Sequence, residues 1–307
     1  MQLYRILLIC LALAFSGQIP AMSVTQDAAP DVALESAQES LKNLAQEKPT
    51  DAPEHPQPVW QALDFEEKAF WATAKARIVI PNRPSNAESW ELTATGSIEN
   101  SYELVSMQFD PATGQLIKRE RLSKGRQEQR QKSWDYQDGF IVRKRRNPTD
   151  STPYPPSEWP VSHARRVYYP DSSEDLPVTS DYLLLVLASR LATAGPGASQ
   201  DVLVHTDLNF FQARLTVIPG KRVDRDYTVA GGTRVRGPRD TTAVSIKVRP
   251  EGRQEEKPDF NLLGLHGDIT LYFDQTTGLP LLLHGDAPRL GTTYIHLRGM
   301  TPRRPVK

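Results

Sequence analysis

The sequence predicts a mainly β protein, in which a curved antiparallel sheet (a half-barrel) packs on one buried helix. Three observations predict this fold. Apolar and polar residues alternate along many short stretches, turn-forming residues recur between those stretches, and one apolar segment has the length and the flanks of a helix. Alternation with a period of two places one face of each strand on a core and the other in water, as in antiparallel sheets.

Several stretches with this alternation are predicted to be half-buried strands. They are residues 76–80, 103–109, 211–217, 244–248 and 269–273. Glycine and proline mark turns between them, for example at Pro219-Gly220 and Gly231-Gly232. Strands joined by such short turns predict an antiparallel meander.

Two of the predicted turns share the local sequence Phe-Asp-x-x-Thr-Gly. Asp110 opens the first turn and Asp274 opens the second, where a carboxylate can accept backbone N–H groups. Gly114 and Gly278 close them, because glycine adopts a positive φ without strain. Both segments are therefore predicted to be tight hairpin turns.

The second turn also predicts a strand register. If Asp274 lies opposite Leu279, then Tyr272 faces Leu281 on the returning strand. The two His-Gly-Asp triplets of the sequence then meet at the open end of the same hairpin.

The helix is predicted from Asp181 to Ala192. Seven apolar residues follow one another from Tyr182 to Ala188, with capping residues before them and Gly195 after them. Apolar residues on nearly every side of a helix imply burial on nearly every side. We therefore expect this helix to lie against the apolar face of the curved sheet.

The amino-terminal segment predicts export. Residues 1–23 have the pattern of a secretory signal peptide, with Arg5, an apolar run over residues 6–15 and small residues before the cleavage site. Residues 24–58 are interpreted as a disordered or weakly helical, proline-rich leader. The remaining predicted units are a single β-rich domain over residues 59–301 and a basic tail over residues 302–307. We expect an exported, soluble, periplasmic protein, and the apolar run is too short for a transmembrane anchor.

Charge, cysteine content and missing motifs exclude several classes of function. With 37 basic and 37 acidic residues, the chain has no bulk positive field for nucleic acid. Its one cysteine, Cys10, lies in the predicted signal peptide, which leaves no thiol nucleophile or thiolate metal site in the mature chain. The common motifs of hydrolases, zinc peptidases and nucleotide-binding enzymes are absent from the sequence. We expect a protein that is not an enzyme and has no cofactor.

The repeated His-Gly-Asp triplet suggests a metal site. His266 and His284 begin the two triplets, Asp286 ends the second, and His296 lies on the predicted next strand. Imidazole and carboxylate groups are metal ligands, so these four residues form a candidate site. The alternative is structural, since Gly-Asp commonly ends a strand. A metal-dependent hydrolase built on these residues is the least favoured function.

Basic residues concentrate over residues 118–132 and 143–146. The acidic and glutamine residues among the first group favour a solvated hairpin. The alternative is a local anion site for lipopolysaccharide or a phosphate-bearing polymer.

The carboxy-terminal half resembles the periplasmic family of domain-of-unknown-function 3108. In order, the motifs are the helix from Ser180, the strands from Leu208 to Val248, Tyr272-Phe273-Asp274, Gly278-Leu279-Pro280, Leu290-Gly291-Thr292 and Leu297. The similar region extends from Trp60 to Thr301. The resemblance implies a half-barrel like that of lipoprotein carriers, which wraps around helices and can hold an acyl chain. It implies no catalytic residues.

The expected function is therefore a non-catalytic binding or envelope-assembly protein that holds an apolar or lipid ligand, with a lipid or an envelope protein as partner. The strand faces that would line such a cavity carry Phe211, Leu215, Val217, Leu271 and Phe273. The alternative is a structural or interaction protein that acts through its surface and its leader. The predicted helix decides between them, because a helix that fills the concavity leaves no space for a ligand.

Overall fold

The computed structural model describes residues 57–69, 72–82, 87–125, 129–148, 155–171, 176–254, 260–288 and 290–303. The predicted signal peptide and almost all of the predicted leader lie outside these residues. The strands, in chain order, are β1 Trp60–Ala69, β2 Ala72–Val79, β3 Trp90–Ile98, β4 Ser101–Phe109, β5 Leu116–Lys124, β6 Gln129–Gln137, β7 Phe140–Arg146, β8 Val161–Tyr168, β9 Val178–Thr179, β10 Ser199–His205, β11 Phe210–Pro219, β12 Val223–Val229, β13 Arg234–Arg239, β14 Thr241–Glu251, β15 His266–Asp274, β16 Pro280–Ala287 and β17 Gly291–Pro302. Helix α1 is Leu183–Leu191, and a 3-10 turn covers Pro156–Glu158.

The strands form a curved, open sheet, as predicted. Strands β1 to β8 pair antiparallel in chain order. Strand β1 also pairs with β17, and the sheet continues through β16, β15, β14, β11 and β10 to the short parallel strand β9. The β12–β13 hairpin branches from this order and touches β17. Within the described residues, β8 and β9 are the two ends of the sheet.

The two predicted turns have the expected geometry. An Asp110 carboxylate oxygen accepts the N–H of Ala112 at 2.7 Å, and an Asp274 carboxylate oxygen accepts the N–H of Thr276 at 2.8 Å. Gly114 and Gly278 have φ values of 78° and 68°. At both turns, therefore, an aspartate side chain accepts backbone N–H groups and a glycine adopts the left-handed conformation.

The predicted register of the β15–β16 hairpin is correct at the turn and wrong beyond it. The N–H of Asp274 donates to the carbonyl of Leu279 at 2.9 Å. Tyr272 lies opposite Leu282 rather than Leu281, because the register shifts between Tyr272 and Phe273. The shift is a bulge that adds one residue to β16, which turn chemistry alone does not predict.

Helix α1 is shorter than predicted and as buried as predicted. It begins at Leu183, after the Ser180 hydroxyl and the Asp181 carboxylate have both accepted the N–H of Tyr182. Every residue from Leu183 to Ser189 is buried, in one apolar cluster with the inner face of the sheet. No helix in the described part of the chain is long and apolar enough to cross a bilayer.

Candidate functional site

The five residues predicted to line a ligand cavity lie together on the inner face of β11 and β15. They are Phe211, Leu215, Val217, Leu271 and Phe273. Each is at most 2% exposed, and all belong to the apolar cluster that contains α1. The helix packs against β11 and β15, so its side chains occupy the space beside them. It remains a prediction that these residues line a ligand-binding cavity.

The four residues proposed as metal ligands lie near the β15–β17 hairpins. His266 is opposite Asp286, and the ring of His284 stacks on that of Tyr294 with centroids 4.7 Å apart. His296 is opposite Leu282 on β16. Burial lowers the pKa of His266 and of His296. Among the described residues, no group of three or more metal-ligating side chains could hold an ion, so the metal site stays a prediction without a preformed ligand set.

A concentration of positive charge on the inner face of β5–β8 is the most distinctive group of polar residues in the described structure. Alternate positions on these four strands carry arginine or lysine, and we call this surface the cationic face. Its residues are Arg119, Arg121, Arg130, Lys132, Arg143, Arg145 and Arg165.

The interpretation of residues 118–132 as a solvated hairpin is half wrong. The hairpin exists as β5–β6, but one of its faces is interior: Arg119 is 6% exposed and Lys132 is 2% exposed. The sequence did contain a signal, since Trp134 and Tyr136 continue the same period-two face as Lys132. Large aromatic residues at alternate positions predict a buried face, even where lysine shares it.

The burial comes from the tip of the β10–β11 hairpin, residues 205–209, which we call the 205–209 loop. Asp207 of this loop accepts a hydrogen bond from Lys132 Nζ and another, at 2.7 Å, from Arg143 Nε. The backbone carbonyl of Asp207 accepts the indole N–H of Trp134 at 3.1 Å. One residue of the loop is therefore bonded to three residues of the cationic face.

The rest of the loop is held by Arg119 and Tyr136. The Arg119 guanidinium donates to the backbone carbonyl of His205 at 2.8 Å and to that of Thr206. The Tyr136 hydroxyl lies 2.9 Å from His205 Nδ1. The Arg119 guanidinium also lies over the Trp134 ring, 4.1 Å from its centroid. Side chains rather than strand pairing thus join β5–β7 to β10–β11.

The buried charges shift each other's ionisation. Burial and the nearby Arg121 charge lower the pKa of Lys132 to about 7, although Asp207 acts in the opposite direction. Burial raises the pKa of Asp207, but the positive charges of Lys132, Arg121 and Arg143 outweigh it and hold the pKa well below its usual range. Burial, together with Arg119, lowers the pKa of His205 and favours a neutral ring.

Negatively charged groups also act on the cationic face. The carboxylates that act on Arg121 are Glu103, Asp207 and Asp181. Glu103 lies 3.7 Å from Arg121 Nε, and burial raises the pKa of Asp181. Buried nitrogen atoms without a hydrogen-bond partner in the described residues include Arg119 Nε and His205 Nε2.

A lysine with a pKa near 7 can be a nucleophile or a base, but Lys132 lacks the access that such a role needs. Its side chain is 3% exposed and its ammonium group is bonded to Asp207. The far end of the cationic face is different, because Arg145 and Arg165 are half-buried and His163 is exposed. The geometry therefore offers a closed ion pair at one end and an accessible cationic surface at the other.

Comparisons with known proteins identify no family. No family model and no curated protein matches the chain. A crystal structure of a beta-barrel-like protein of domain of unknown function DUF1849 from Brucella abortus is similar, with a TM-score of 0.46 and 11% identity over 81% of this chain and 100% of that one. The resemblance to the 3108 family rests on the sequence motifs alone.

Proposed function

We propose that this protein is a non-catalytic binding protein of the cell envelope whose ligand carries an anionic group. The observation that carries the proposal is the cationic face, where seven arginine and lysine side chains share one face of four adjacent strands. Like charges on one low-dielectric surface repel each other, so this surface is stabilised by an anion.

The anion would bind at the open end of the cationic face. Asp207 neutralises part of the charge at the closed end, through Lys132 and Arg143. Arg145 and Arg165 lie farther from it on β7 and β8, where solvent reaches them. Guanidinium groups bind phosphate and carboxylate oxygens in a bidentate geometry, so either group on a ligand would suit this position.

A lipid ligand extends the same proposal. The apolar core begins at β4, whose Val105, Met107 and Phe109 belong to it. The acyl chain of a lipid with its head group on β7–β8 would therefore have to pass β5 and β6 to reach Phe211 and Leu271. For the chain to lie among these residues, α1 must move away from β11 and β15, because the helix packs there. Burial of an acyl chain contributes about 0.8 kcal/mol per methylene, which would offset part of that cost.

Location in the envelope, periplasmic export and membership of the 3108 family belong to the same proposal. They are supported by the signal-like residues 1–23 and by the motifs between Ser180 and Leu297. Intact-mass measurement of the envelope fraction should give an unmodified chain that begins near Val24. An uncleaved cytoplasmic chain, or a diacylglyceryl adduct, would contradict this part.

The binding proposal is tested with two probes, short-chain polyphosphate and a fluorescent fatty acid. The variant Arg145→Gln/Arg165→Gln removes two charges from the cationic face. The matched control Lys144→Gln/Arg166→Gln removes two charges from the opposite face of the same strands. We expect saturable binding that the first variant weakens at least about tenfold, that the control leaves unchanged, and that added salt weakens.

The two probes distinguish the ligand classes. Polyphosphate binding without fatty-acid binding would indicate a phosphate-bearing ligand, and binding of the fatty acid would indicate a lipid. If neither probe binds, or if both double variants weaken binding equally, the anionic-ligand proposal fails. The alternative of a structural protein that acts through its surface and leader would then be favoured.

A further inference from the structure

A polar groove lies on the outer face of the sheet, where β1–β4 and β17 meet. It has a volume of about 370 Å³. The residues that carry the argument are Asp64, Lys75, Arg77, Ser97, Tyr102 and Arg298. This volume is at the lower end of the range for small-molecule sites, about 300–1,000 Å³. The groove lies on the opposite face of the sheet from the cationic face and from α1.

A bulge and a glycine shape the floor of this groove. Asp64 is opposite Gly299 while Phe65 is opposite Leu297, so Arg298 is an extra residue in β17 and its side chain is exposed. A Cβ atom on Gly299 would come within 2.9 Å of the Asp64 carboxylate. The glycine therefore lets Asp64 lie across β17, and the bulge directs a guanidinium to the edge of the groove.

The hydrogen-bonding groups of the groove are only partly used by the protein. Arg77 Nη1 donates to both carboxylate oxygens of Asp64 at 2.7 Å, which orients the guanidinium and leaves its Nε and Nη2 groups available. The side chains of Lys75, Tyr102 and Arg298 make no hydrogen bond to any residue in the described ranges. Glu66 also lines the groove, opposite Lys75, so the lining carries three cations and two carboxylates. Arg77 is paired with Asp64, and the net charge of the lining is weakly positive.

We propose that this groove binds a short saccharide that carries a carboxylate group. Sugar hydroxyls both donate and accept hydrogen bonds, and an oriented Arg–Asp pair can serve two hydroxyls at once. Tyr102 is 37% exposed, which offers a flat aromatic surface for a sugar ring. Arg298 supplies the positive charge that a carboxylate needs, because Arg77 is paired with Asp64 and Lys75 lies opposite Glu66. Both carboxylate oxygens of Asp64 already accept hydrogen bonds from Arg77, which argues against a metal.

The experiment titrates the full chain with trigalacturonic acid, and with maltotriose as an uncharged probe of the same number of rings. We expect trigalacturonic acid to bind with a Kd in the millimolar range and maltotriose to bind more weakly. Arg298→Gln and Tyr102→Ala should each weaken binding by about tenfold or more. Both side chains are exposed, so the variants should fold, which thermal melting checks. The charge-matched control Arg253→Gln, at an exposed residue outside the groove, should bind normally.

Four outcomes would overturn the proposal or part of it. One is the absence of saturable trigalacturonic acid binding to the unmodified protein. Another is an equal effect of Arg253→Gln, which would indicate general electrostatic attraction. A third is binding that survives both groove variants but is lost in Arg145→Gln/Arg165→Gln. That result would place the probe on the cationic face and leave the proposed function intact. Equal binding of maltotriose would overturn the carboxylate requirement.

Discussion

The interior of this protein changes character between β4 and β5. On one side, α1 packs against the inner face of the sheet, and Leu184 and Leu215 are both fully buried among apolar side chains. On the other side, the 205–209 loop packs against the cationic face, and Lys132 and Asp207 are almost as deeply buried. The same sheet thus encloses an apolar region filled by a helix and a charged region filled by a hairpin tip.

The stability of the apolar region and that of the charged region depend differently on the groups that cover them. Burial of an apolar side chain is favourable in proportion to its area, about 25 cal/mol per Å², whichever apolar group covers it. A buried charge is tolerated only where each partner is in place, because desolvation costs several kcal/mol per ion. The apolar region therefore contributes most of the stability, and the charged region specifies how the two parts of the sheet meet.

The largest expected effect is a charge in the apolar region. Leu184→Asp buries a carboxylate without a partner, and we expect a loss of about 4 kcal/mol or more in the free energy of unfolding. Urea unfolding measures the loss. The control Ala194→Asp, at an exposed residue just after α1, should change stability by less than about 0.5 kcal/mol. Equal stability of both variants would mean that α1 is exposed in solution.

The next effect is the removal of a charge from the charged region. Asp207→Asn leaves Lys132 and Arg143 buried without their anion, and we expect a loss of about 3–5 kcal/mol. The double variant Lys132→Met/Asp207→Leu removes both charges of the shorter pair and should lose less stability than Asp207→Asn. The same urea unfolding experiment compares them. If the double variant is the less stable of the two, the ion pair itself stabilises the fold.

Lowering the pH should destabilise the charged region before it destabilises the apolar region. The folded state holds the pKa of Asp207 well below the ordinary value of 3.8, so below about pH 3.8 the unfolded chain binds a proton that the folded chain does not. Stability is therefore lost as the pH falls, by up to about 1.4 kcal/mol per pH unit from this group. The variant Lys132→Met/Asp207→Leu lacks the carboxylate and should show a shallower loss. Parallel pH profiles of the two proteins would contradict this account.

The smallest expected loss of stability distinguishes the contribution of one hydrogen bond from that of aromatic packing. Trp134 donates its indole N–H to the Asp207 carbonyl, whereas the buried indole N–H of Trp90 has no partner in the described residues. Both rings lie under an arginine guanidinium. We expect Trp134→Phe to cost about 1 kcal/mol more than Trp90→Phe, which is the net value of one hydrogen bond. Thermal melting of both variants measures the difference, and equal losses would mean that packing alone decides.

The local chemistry of the chain predicted much of the fold. The alternation in residues 211–217 and 269–273 predicted strands, and the Asp-to-Gly spacing predicted the turns at Asp110 and Asp274. It could not predict the bulge that shifts Tyr272, because a bulge depends on how two strands fit each other. The prediction of a solvated hairpin over residues 118–132 was wrong on one face for a related reason. A strand face in water and a strand face paired with a distant carboxylate show the same alternation of residues.

By itself, the sequence determined the elements: which segments alternate, where turns close, and that α1 is apolar on nearly every side. Those properties depend on residues a few positions apart, whose spacing decides which side chains share a face in a helix or in a strand. Only the tertiary structure decided that the concavity beside Phe211 is occupied by α1, and that Asp207 enters the cationic face from 75 residues beyond Lys132. These contacts join groups that are distant in the chain. The electrostatic energy of the Asp207 contacts becomes large only once the sheet has curved and excluded water from them.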